Sequence, residues 1–77
     1  MNTPELWRMT DLCALLAQTV GDEMAHTVIK QAARDIGLNL RRGIPSGEVL
    51  TLLDHIAQTP GLVGITARFA KSRVLLG

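Results

Sequence analysis

Apolar side chains recur three and four residues apart along most of this chain, and that spacing confines it to helices packed on one another. Leu6, Met9, Cys13, Leu16 and Val20 share one stripe, which Leu12 and Leu15 widen. An α-helix turns once in about 3.6 residues, so a run of this kind gives a helix with a broad buried face. The same spacing returns in Met24 or Ala25, Val28, Ile29, Ala32 and Ile36, and again in Val49, Leu52, Leu53, Ile56 and Ala57.

Punctuation between the stripes sets the expected boundaries. Thr3-Pro4-Glu5 has the composition of a helix start: Thr to cap, Pro where a missing N–H costs nothing, and Glu beside the positive end of the dipole. The first helix is expected from there to Thr19 or Gly21. Thr19 and Asp22 stand three apart, close to a capping box that would open the second helix. Gly37 is its expected left-handed terminator. Leu38 to Pro45 has no clean period and reads as a loop. Ser46 is the next natural N-cap, with Glu48 in the first turn of a third helix that closes between Gln58 and Gly61.

Residues 62–76 fit two patterns. Val63, Ile65, Ala67 and Phe69 alternate as in a strand, whereas Leu62, Ile65, Phe69 and Leu76 follow a helical stripe. Thr59-Pro60 repeats the start of the first helix, and no Asn-Gly or Asp-Gly turn marks a hairpin, so a fourth helix is expected. Gly61 and Gly64 weigh against it, at about 1 kcal/mol each relative to Ala. The expected fold is therefore all-α, a small bundle of about four helices. The alternative is three helices plus a C-terminal β-hairpin, a winged-helix-like order. With 77 residues the chain has room for one core, and residues 1–77 read as a single small helical domain.

Composition then narrows function. Cys13 is the only cysteine, so no intrachain disulfide can staple the domain, and a cytoplasmic setting is expected. The longest apolar run before the second helix, Leu12 to Ala17, falls far short of the roughly 20 residues of a membrane span, and no membrane partner is expected. Eight Lys and Arg stand against seven Asp and Glu, so the totals exert no strong pull on a polyanion. A mean hydropathy of +0.21 is high for a soluble chain this small and points to an apolar face covered by a partner.

No catalytic constellation is assembled by the sequence, and neither an enzyme nor a bound cofactor is expected. His26 and His55 lack companions at metal-ligand spacing, so no metal is expected; Asp22 with His26 is the one i, i+4 carboxylate–histidine pair and reads as a helix-stabilising contact. Cys13 sits on the apolar stripe and reads as a packed thiol. Ser46-Gly47 behind Arg41 and Arg42 matches no phosphate-loop spacing.

Two functions of different class follow. The first is a protein-interaction or assembly module, self-associating or docking on another protein through an apolar helix face. Its candidate interface residues are Trp7, Leu16, Val28 and Phe69; Trp7 is also suited to capping the bundle end. The second is a small nucleic-acid-binding regulator, with Arg41, Arg42, Arg68, Lys71 and Arg73 on phosphates, provided the fold joins them into one surface with Lys30 and Arg34. Gln31 to Leu38, Gln-Ala-Ala-Arg-Asp-Ile-Gly-Leu, resembles the first helix and turn of a bacterial helix-turn-helix, which implies a recognition helix directly after it. Gly43 and Pro45 would break that helix almost at once.

Overall fold

The computed structural model describes residues 6–76. Four helices carry the fold: α1 (Met9–Val20), α2 (Asp22–Ile36), α3 (Ser46–Ala57) and α4 (Leu62–Leu76). Two very short strands, β1 (Leu6–Trp7) and β2 (Ile44–Pro45), complete it. α1 packs on α2, α2 on α3, α3 on α4 and α4 back on α1, so the bundle closes on itself around one core. The helical architecture is the one the apolar spacing implies, and residues 62–76 form a helix, with no C-terminal hairpin.

The first helix begins later than its stripe suggests. Leu6 and Trp7 are extended and pair antiparallel with Pro45 and Ile44; the Thr3-Pro4-Glu5 cap falls outside the described residues. In this form Trp7 is buried at 8% exposure beside the fully buried Ile44, and its indole N–H donates to Ser46 Oγ at 3.3 Å. A buried Trp needs a partner for that one polar atom. Ser46 therefore does not cap α3: Pro45 occupies the N-cap position and Ser46 is the first helical residue. At the start of α1 the Asp11 carboxylate accepts from the Arg8 backbone N–H at 2.9 Å, satisfying one of the donors that a helix start leaves free.

A single residue, Gly21, separates α1 from α2. Its N–H closes α1 on the Ala17 carbonyl at 2.9 Å, and its own carbonyl accepts from Ala25 at 3.0 Å to open α2. With φ 87° and ψ 159° it lies in a region essentially restricted to glycine. The backbone makes this junction, so the Thr19–Asp22 capping box does not form and α2 carries no side-chain cap. α2 ends at Gly37 as expected, with the Leu38 N–H reaching back to the Ala33 carbonyl at 2.8 Å.

Gly64 explains how α4 joins the bundle. A Cβ at this position would stand 1.9 Å from the Thr59 carbonyl oxygen and 3.0 Å from that of Ala57. Only a residue without a side chain lets the first turn of α4 lie against the end of α3. The glycine whose helix propensity counts against α4 is the one its packing requires. The rest of that inner face is small as well: Ala67, Ala70 and Val74 are buried, and the buried Thr66 donates its hydroxyl to the Leu62 carbonyl at 2.7 Å. Among the described residues no helix is long and apolar enough to cross a membrane.

Candidate functional site

The larger apolar side chains of α4 point the other way. Leu62 is 56% exposed, Ile65 51%, Phe69 68% and Leu76 88%. At about 100° per residue the centre of this set lies about 150° around the helix from the centre of the buried set. The helical stripe visible in the sequence is thus the outer face, because the small residues allow the closer approach to α3 and α1. α4 is apolar on two opposite sides, and the bundle covers one.

The spacing of the outer face is three, four, three, four: Leu62, Ile65, Phe69, Ser72, Leu76. This is the spacing that the first and fourth positions of a heptad have in a coiled coil. Ser72 is its one polar member, and its hydroxyl is already engaged with the Arg68 carbonyl at 3.2 Å. The seam runs for about 21 Å, close to four turns. Arg68 and Arg73, both exposed, flank Phe69 on opposite sides. α4 contains no Asp or Glu.

The expected interface residues separate into two groups. Leu16 is 1% exposed and Trp7 8%, and both belong to the core. They are corrected here to packing residues: a side chain already enclosed by its own bundle has no area left to give a partner. Val28 is half-buried on α2, against the core. Phe69 alone of the four stands well out in solvent. Leu62, Ile65 and Leu76 join it, a set the sequence displays in full as a stripe without saying which way it turns.

The cations also divide. Arg41 and Arg42 line a shallow groove with Arg8 at the start of α1, and Arg41 lines its neighbour with Lys30 and Arg34. Neither groove includes Arg68, Lys71 or Arg73. Arg68 and Lys71 instead border a groove with Asp54, Ala57 and Gln58, where Lys71 is ion-paired to Asp54. After the Gln31–Leu38 segment the chain passes through a loop and β2 before α3 begins at Ser46, so no helix follows that turn directly.

Asp35 and His55, 20 residues apart on α2 and α3, lie together with Nε2 3.1 Å from Oδ2. Gln31 donates to the other carboxylate oxygen at 3.1 Å. The His55 contact first, and Gln31 second, hold the Asp35 carboxyl below its usual range. Sequence spacing gives no sign of this pair, which exists only because α2 packs on α3. His26 lies with Nδ1 4.0 Å from Cys13 Sγ. Burial, and secondarily the charge of Asp22, pushes the Cys13 thiol up, which disfavours the thiolate that a nucleophile needs. Among the described residues no three His, Cys, Asp or Glu side chains gather as a metal would require.

No protein-family model, no curated protein and no solved structure matches this chain.

Proposed function

We propose that this protein is an interaction module that docks on another polypeptide through the outer face of α4. One observation carries the proposal: Leu62, Ile65, Phe69 and Leu76 form an exposed seam, interrupted by Ser72 alone, on a helix whose opposite face is sealed in the core. Apolar area left in water at that spacing is stabilised when another helix covers it. The role is binding and not catalysis, and the unpaired cysteine suits a reducing cytoplasmic setting.

Photo-crosslinking from position 69 tests this directly. A benzophenone amino acid placed there, in the cells that make the protein, is expected to give a discrete adduct whose mass identifies the other chain as a copy or a different protein. The same probe at Gln31, on the exposed side of α2, is expected to give none. Diffuse labelling at both positions would contradict the proposal.

A second reading rests on the convergence of Arg8, Lys30, Arg34, Arg41 and Arg42 around two adjoining grooves. These cations suit a phosphate-rich polymer, with Arg68, Lys71 and Arg73 outside that surface. Binding to duplex DNA that weakens steeply between about 50 and 200 mM salt would support this reading, and salt-insensitive or absent binding would remove it.

A further inference from the structure

We infer that the partner seated on α4 is an amphipathic helix of another protein with acidic residues flanking its apolar seam, and not a second copy of this chain. The inference rests on the docking role of α4 and adds to it the chemistry of the occupant. Phe69 occupies a first heptad position, which places Arg68 at the position just before the seam and Arg73 at the one just after Ser72. Those flanking positions decide partner choice and orientation in paired helices.

Charge disfavours self-pairing in either direction. In a parallel pair of α4 helices, Arg68 of one copy faces Arg73 of the other, five residues further along. In an antiparallel pair Arg68 faces Arg68 and Arg73 faces Arg73. Arginine meets arginine in both arrangements, and α4 has no carboxylate to relieve it. Lys71 does not contribute, because Asp54 already holds it on the α3 side. A partner carrying Glu or Asp at the same flanks turns each repulsion into an attraction, and Arg accepts a carboxylate with two parallel hydrogen bonds. The polar position of the seam leaves no unsatisfied group for a partner to serve, since the Ser72 hydroxyl is engaged within α4. The occupant therefore needs an apolar stripe about four turns long with acid on both sides.

Two designed peptides of three heptads test this against the full chain. Both carry Leu at the seam, one has Glu at every flanking position and the other Lys, and binding is followed by fluorescence anisotropy at low salt. The Glu peptide is expected to bind at least about tenfold more tightly than its Lys twin. Phe69→Ala is expected to weaken the Glu peptide by about tenfold or more, and the double variant Arg68→Glu/Arg73→Glu to reverse the preference. Circular dichroism confirms that each variant, altered only at exposed positions, is folded. Equal binding of both peptides would overturn the acidic partner while leaving the docking face standing. So would a stable dimer of the chain, seen by light scattering and dispersed by Phe69→Arg. Binding to phosphatidylglycerol vesicles with no binding of either peptide would overturn it in favour of a lipid surface. The crosslink from position 69 reports separately on the docking role itself.

Discussion

α2 and α4 are the same length, fifteen residues, and each buries one face in the same core, yet they treat water differently. α2 turns Glu23, Lys30, Gln31, Arg34 and Asp35 outward, with Met24 as its one exposed large apolar side chain. α4 turns out Leu62, Ile65, Phe69, Leu75 and Leu76, five of the seven exposed large apolar residues among those described. Their inner faces are both built mainly from small residues: α2 buries Ala25, Ala32 and Ala33 around the fully buried Ile29, and α4 buries Gly64, Thr66, Ala67, Ala70 and Val74. α2 presents an almost wholly polar outer face, and α4 an apolar one. The small inner residues of α4 bring its backbone close to α3, and its large ones stand in solvent.

Changes on the two inner faces sharpen this comparison most. Gly64→Ala is expected to lower the unfolding free energy by about 3 kcal/mol in urea titration, because the new methyl meets backbone oxygens that cannot rotate away. A loss under about 1 kcal/mol would show that α4 can move out from α3. Ile29→Ala on α2 is expected to cost about 3 kcal/mol through the cavity it leaves. A similar loss from each would mean that both helices belong to one cooperative core.

The outer faces are expected to do far less for stability. Ile65→Ser/Phe69→Ser should change the unfolding free energy by no more than about 0.5 kcal/mol, since both side chains are more than half in water. A loss like that of Ile29→Ala would break the comparison by placing the outer seam within the fold.

The smallest effect is expected on the outer side of α2. The Asp35 carboxyl titrates lower in the folded chain than in the unfolded one, so the stability it contributes is present above the ordinary aspartate range, near pH 4, and is lost as pH falls through its folded value. Asp35→Asn should flatten that acid limb in thermal melts below about pH 4, and an unchanged limb would show that the His55 and Gln31 contacts are absent in solution.

Most of the helical framework is legible in the sequence because it follows from local spacing and punctuation. Gly37 ends α2, Gln58 follows α3, and the stripe from Val49 to Ala57 is the buried face of α3. What is hidden depends on contacts between distant residues. Leu6 continues the helical stripe of α1 and Trp7 falls within the expected first helix, and only their pairing with Pro45 and Ile44 makes them extended. Ser46 has the character of a cap but serves the indole of Trp7, 39 residues away. The outer face of α4 shows a subtler limit. Leu62, Ile65, Phe69 and Leu76 are visible as a stripe, but periodicity records that a face is apolar and not whether the chain itself covers it. Gly64, Ala67 and Ala70 hold the missing information, since a second stripe of small residues on the opposite side gives α4 another way to pack.

The most direct test of the two-faced α4 is a heteronuclear NMR titration of the isotope-labelled chain with the Glu-flanked peptide. We expect the amide shifts to concentrate at Leu62, Ile65, Phe69 and Leu76 and at the flanking Arg68 and Arg73, with Lys30, Gln31 and Arg34 of α2 unmoved. Shifts centred on α2 or on the Arg41–Arg42 groove, or no shifts at all, would contradict it.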